Sequence, residues 1–230
     1  MCGRVVQKTP LAEIRVLFET VNPVPNAAAT YNGAPTQNLA VVRLDAEGRR
    51  SFDLLRWGLI PSWAKDKAIG PRLINAMAET VAAKPAFRDA FRHRRCLVPV
   101  DFFYEWRKTG SGTQPSGKQP FAIGLADGAP MALAGLWERW KDPSDGATLH
   151  SFTVITGPPN ELVAPIHNRM PVVLPRESWR RWLGEDRTET DELQALLRPY
   201  PAEAMSAYPV AARVGNVRNN DPELLVPVAA

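Results

Sequence analysis

The spacing of apolar positions changes several times along this chain, and each change predicts an element. In TPLAEIRVLFE, Leu11, Ile14, Leu17 and Phe18 recur at helical spacing, so a helix is expected over Pro10–Glu19, with Thr9 as its cap and Pro10 in its first turn. VNPVPNAAATYNGAPTQ follows, with three prolines and several turn residues, and predicts irregular chain. NLAVVRL and RRSFDLLRWGLI, separated by DAEG, predict a β-hairpin. PSWAKDKAIGPRLINAMAET has no clear period; a loop of that length in a compact domain is often functional. Short β-rich runs then alternate with turns: CLVPV, DFFYEW, PFAIGL, MALAGLW, LHSFTVIT and MPVVL. TGSGTQPSGKQ, Thr109–Gln119, predicts a flexible hairpin loop and a poor place for chemistry. Helical spacing returns in ESWRRWLG and TDELQALLR, and YPVAARVGNV predicts a closing strand and turn. This order predicts an α+β fold: a single compact domain over residues 1–230, with a barrel-like, mixed or antiparallel β core and peripheral helices.

Composition narrows the function. The 230 residues suffice for a sizeable core, and 45% hydrophobic with 23% charged residues is ordinary for a globular protein. No apolar run approaches the roughly 18 residues of a membrane span, and no secretory signal opens the chain. The expected location is therefore the cytoplasm, with nucleoid association if the source is bacterial, and the expected state is a monomer. A net charge of +4 permits a polyanionic partner without requiring one. FRDAFRHRR, with four arginines, reads as the solvated face of a short helix. Two cysteines, Cys2 and Cys96, and histidines at 93, 150 and 167 have no metal-ligand spacing, so no metal is expected. A disulfide between the two cysteines is not expected in a reducing compartment. No phosphate-binding glycine loop appears, so no cofactor is expected.

The opening MCGR is the unusual stretch. Methionine is commonly trimmed before a small residue, which would leave Cys2 with a thiol and an α-amine on one carbon. The amine, with a pKa of about 8, is partly unprotonated at neutral pH, and a cation such as Arg4 would favour the thiolate. Two mechanisms fit. The amine serves as base for a thiol attacking an amide, or the amine condenses with an aldehyde and the thiol closes a thiazolidine. A third reading is simple packing of a small apolar residue. Glu105, in FFYEW, carries a charge that is costly to bury without a partner or a task. Taken alone, Asn75 reads as a turn residue or cap, and His167 as an incidental loop histidine; His93, His150, Trp57, Trp137 and Trp140 read as packing or surface residues.

Taken together, MCGR, YNGAPTQ (31–37), WGLIPSWAKD (57–66), INAMAET (74–80), KPAFRDAFRHRRCLVPVDFFYEW (84–106), NELVAPIHNRMPVVL (160–174) and VGNV (214–217) resemble the SRAP family, the SOS response-associated peptidases. The resemblance runs from Met1 to about Val228. It implies an abasic-site sensor that binds single-stranded DNA and forms a thiazolidine crosslink with the ring-opened aldehyde, after self-processing exposes the cysteine. It implies Cys2 as nucleophile, Asn75 as a hydrogen-bond partner of the opened sugar, Glu105 as acid/base, and His167 as the group that opens the ring and assists reversal. Arg4 and Arg169 are implied as phosphate contacts, and Trp63 and Trp106 as stacking surfaces for bases. Two positions depart from the pattern. Met77 stands where the family commonly has arginine, which predicts one phosphate contact fewer and a salt dependence flatter by about one unit. Phe102, where the family favours a small residue, is expected to narrow the cleft near Glu105 or to reshape the base stack. The alternatives are an N-terminal-nucleophile glutamine amidohydrolase, a non-catalytic single-stranded DNA-binding module, and a protease acting on other proteins.

Overall fold

The structure is a computed structural model and describes residues 2–110 and 117–229. The loop expected over Thr109–Gln119 falls largely on 111–116, outside the described residues, as does Met1.

Twelve strands and four short α-helices are present among the described residues. The strands are β1 Val5–Gln7, β2 Thr30–Gly33, β3 Asn38–Leu44, β4 Arg50–Trp57, β5 Asn75–Met77, β6 Arg95–Val100, β7 Phe102–Thr109, β8 Gly117–Leu125, β9 Met131–Lys141, β10 Thr148–Gly157, β11 Met170–Pro171 and β12 Met205–Pro209. The helices are α1 Leu11–Phe18, α2 Arg88–His93, α3 Trp179–Leu183 and α4 Thr190–Ala195.

The strands form two sheets. In one, β12, β8, β7, β1 and β2 lie side by side. In the other, β10 pairs with β4, β4 with β3, β3 with β6, β6 with β9, and β9 again with β10, so five strands close a ring. Only the β10–β4 contact in that ring is parallel; the barrel is mixed. Further along, β10 pairs in parallel with β5 and antiparallel with β11. Those two short strands carry the chain towards the site.

Alternation along the strands sorts the core. In β3, Leu39 and Val41 face one cluster while Ala40 and Val42 face another. The cluster of Ala40 and Val42 lies beneath the helices, with Ile14 and Phe18 of α1, Phe91 of α2 and Trp182 of α3. The cluster of Leu39 and Val41 joins the barrel to Val5, Phe103 and Ile123 of the first sheet, and it contains both Cys2 and Cys96.

Several expectations require correction. Thr9 does not cap α1: its hydroxyl and N–H donate to the carboxylate of buried Asp101, and Pro10 occupies the cap position. VNPVPNAAATYNGAPTQ is not wholly irregular, because Thr30–Gly33 pairs with β1. The stretch after Pro61 contains a 3-10 turn, Lys67–Arg72, and β5. Two of the four arginines in FRDAFRHRR are not on a solvated face. Arg94 pairs with Glu138 at 2.8 Å, and buried Arg95 donates to the carbonyls of Phe91, Arg92 and Trp182. A buried guanidinium needs those acceptors to offset lost hydration. Phe102 lies on the face of β7 opposite Glu105, against Tyr208 and over Gly124, so it does not narrow the cleft on the Glu105 side.

Candidate active site

The first residues of the chain are held from several sides. Gln7 is buried; its amide nitrogen donates to the carbonyls of Ala40 (2.9 Å) and Pro99 (2.7 Å), and its oxygen accepts from Ala40 N–H (3.0 Å). Asp101 accepts from the N–H groups of Lys8 and Thr9 at 2.6 and 3.0 Å. Val5 sits opposite Phe103, and Tyr104 N–H donates to Arg4 O at 3.0 Å, so β1 runs antiparallel beside β7. That register brings Cys2 close to Glu105.

Cys2 is fully buried among apolar side chains. Burial pushes its thiol well above the ordinary range, the Glu105 carboxylate pushes it further, and Arg4 N–H opposes both. Glu105 is 2% exposed. It shares the inward face of β7 with Phe103, while Tyr104 and Trp106 point to the other face.

His167 Nε2 lies 3.9 Å from Glu105 Oε2. Its loop is shaped by buried Asn160, whose side-chain oxygen accepts Val163 N–H (3.0 Å) and whose amide donates to Tyr200 O (2.8 Å). His167 Nδ1 lies 3.1 Å from both the N–H and the carbonyl oxygen of Arg169, contacts that hold the ring with Nε2 turned towards Glu105.

Asn75 enters from β5. The Trp57 indole donates to Ile74 O (2.9 Å), and Val154 N–H donates to the same oxygen (3.2 Å). Gly58, at φ +118, meets the backbone of Gly70 so closely that a Cβ would stand 2.8 Å from Gly70 O; no other residue fits there. These contacts fix the approach to β5. The Asn75 amide donates to Ile74 O at 3.0 Å, and its buried Oδ1 has no hydrogen-bond partner among the described residues. An orphaned buried acceptor is uncommon and suits a ligand donor.

The remaining residues singled out from sequence are more dispersed. Arg169 forks onto Glu79 at 2.5 and 2.9 Å and donates to Thr156 O. Arg4 donates to Asn32 and to the carbonyls of Val214 and Gly215. Trp63 is 59% exposed on the surface before the 3-10 turn. Trp106 is half-buried against the cluster of Tyr104, Val210 and Leu224. Sequence reasoning passed over Asn32, Glu79, Gln7 and Asp101. For Asn32, Gln7 and Asp101 the available signal was a polar residue placed where its strand or turn would bury it; exposed Glu79 gave none.

A closed mixed barrel joined to a second sheet, with a few peripheral helices, brings Cys2, Glu105 and His167 together. The profile of the SOS response associated peptidase (SRAP) family matches residues 1–217, and the chain belongs to that family. The abasic site processing protein YoqW of Bacillus subtilis is 42% identical over 227 residues, covering 98% of this chain and 99% of that one. The abasic site processing protein YedK of Escherichia coli is 32% identical over 235 residues, covering 99% and 100%. A solved structure from Bacteroides thetaiotaomicron superposes with a TM-score of 0.87 at 24% identity, covering 99% and 100% of the two chains, and supports the fold.

Proposed function

We propose that this chain processes abasic sites in single-stranded DNA by trapping the ring-opened aldehyde on Cys2, once Met1 is removed. The observation that carries the reading is the convergence of Cys2, Glu105 and His167 on one buried rim, with His167 Nε2 at 3.9 Å from the Glu105 carboxylate. His167 protonates the ring oxygen as the sugar opens. The α-amine of Cys2 adds to the aldehyde carbon, and Glu105 moves the protons by which water leaves and an imine forms. The sulfur then bonds to the imine carbon as its proton passes to nitrogen, closing a thiazolidine. One water leaves, and no oxidant or reductant is required.

Asn75 Oδ1 offers an acceptor for a hydroxyl of the opened sugar. Arg169 meets a neighbouring phosphate on exchange with Glu79. Arg4 has three of its five donors engaged within the protein and contributes chiefly field and shape. Trp63 provides an exposed stacking face; Trp106 contributes only by its outer edge. The names of the relatives YoqW and YedK support an abasic-site substrate, and the family description names a peptidase, with which removal of Met1 by the chain itself would agree.

The test is a denaturing gel of the protein with a single-stranded oligonucleotide carrying one abasic site, beside an intact strand, with the N-terminal mass taken on the same sample. A shifted band confined to the abasic strand is expected. Its absence from protein whose Met1 is gone would overturn the reading in favour of a non-covalent DNA-binding module.

A further inference from the structure

We infer that Asn32 is a positioning residue for the cysteine nucleophile: through Arg4 it fastens the start of the chain to the turn Ala212–Gly215 and so fixes where Cys2 stands. The inference rests on the reading of Cys2 given above. Asn32 lies on β2 and is 1% exposed. Its amide nitrogen donates to the carbonyls of Val214 (3.2 Å), Asn216 (3.0 Å) and Asn219 (2.8 Å). Its oxygen accepts from Arg4 Nη1 at 2.9 Å. The same Nη1 donates to Val214 O at 2.8 Å, and Nη2 to Gly215 O at 3.2 Å. Asn32 and Arg4 therefore both bind Val214 O, which lies 182 residues from Asn32 and 210 from Arg4 in sequence.

The grip is transmitted to the site by the backbone of Arg4. Its carbonyl accepts from Tyr104 N–H at 3.0 Å, one residue before Glu105. Its N–H faces the Cys2 thiol and favours the thiolate against burial. Gln7 and Asp101 secure residues 7–9, but Arg4 is two residues from the nucleophile. A shift of about 1 Å in a reacting group is enough to cost about a hundredfold in rate. Asn32 is chemically suited to the task because its amide carries a donor and an acceptor side. Three carbonyls need the donor and a guanidinium needs the acceptor. Aspartate would repel the carbonyls; alanine would take the Asn32 donor from Asn216 O and Asn219 O and leave Arg4 held only by Val214 O and Gly215 O.

The test is Asn32→Ala in the full-length protein, with Cys96 as an internal reference. Cys2 and Cys96 are both fully buried in the same cluster. Iodoacetamide labelling at pH 8, read by mass on the peptides containing each cysteine, should rise at least about tenfold at Cys2 and stay within about twofold at Cys96. Crosslinking to the abasic strand should fall by at least about tenfold, with non-covalent affinity for the intact strand retained. If both cysteines label faster in step, Asn32 serves general stability and the inference is overturned. Unchanged labelling and crosslinking would overturn it equally. Should the alanine variant fail to fold, Asn32→Ser, which keeps an oxygen for Arg4 and loses the amide donors, is measured in the same way. If the wild type forms no crosslink, the functional reading fails, and the ratio of the two labelling rates still decides whether Asn32 holds Cys2.

Discussion

Cys2 and Cys96 make an instructive pair. Each is fully buried, each is a free thiol, and they share one apolar cluster. Burial is the largest influence on both and pushes both thiols far above their ordinary range. Their surroundings differ. Cys96 sits mid-strand opposite Gly135, where even a Cβ would come within 2.9 Å of its sulfur, and the charge of Arg43 opposes the effect of burial on it. Cys2 lies at a chain end beside Glu105 and Arg4 N–H, with His167 next to Glu105. Apolar burial silences a thiol in either place. Of the two, Cys2 has a carboxylate beside it with an imidazole next to that, so the polar neighbours, and not the sulfur, distinguish the pair.

The sharpest break of this comparison is to delete each sulfur in turn. Cys2→Ala should abolish the denaturation-resistant band while sparing non-covalent binding to single strands. Cys96→Ala should keep the band and cost about 1 kcal/mol of stability in urea unfolding. A crosslink by Cys2→Ala would remove that residue from the mechanism.

A smaller effect is expected from Glu105→Gln, which should slow adduct formation by about a hundredfold. The same change removes a negative charge that holds the Cys2 thiol protonated. Labelling of Cys2 at pH 8 should therefore become faster while crosslinking becomes slower, with Cys96 unaffected. Equal crosslinking rates for wild type and variant would take Glu105 out of the acid/base role.

A further effect, on stability alone, concerns pH. Both thiols keep their protons in the folded chain at values where an unfolded thiol, near pH 8.5, has lost them. The folded state binds more protons there, so the contribution to stability is complete below about pH 8 and is lost as pH rises. Each thiol accounts for up to about 1.4 kcal/mol per pH unit above that point. Urea midpoints measured from pH 8 to 10.5 should fall, and Cys96→Ala should show roughly half the thiol-dependent decline. Superimposable slopes would mean that Cys96 ionises no differently in the two states.

Much of the fold was legible because local pattern and tertiary burial agree. NLAVVRL alternates cleanly and forms β3, and the spacing of Leu11, Ile14 and Phe18 places α1. What escaped was set by distant partners. TYNG reads as turn chemistry, and β1 makes it a strand. Thr9 is a good cap by type, but Asp101, 92 residues on, claims its hydrogen bonds. Arg95 looks solvated beside three other arginines until the carbonyls of Phe91, Arg92 and Trp182 surround it. The site divides in the same way. A charge inside FFYEW signals Glu105 from sequence alone, and the family resemblance brings Cys2, Asn75 and His167 together. No local pattern announces that Asn32 meets the turn at Val214 or that Glu79 holds Arg169.

The bond between Arg4 and the carbonyls of Val214 and Gly215 also sets an order of events during synthesis. Cys2 leaves the ribosome long before Val214 and Gly215, the acceptors that seat Arg4. A nascent chain that has completed both sheets still lacks them. Because a domain folds as a unit, the segment around Cys2 is fastened only after this turn has emerged. A chain cut short before Val214 would thus carry Cys2 without that fastening.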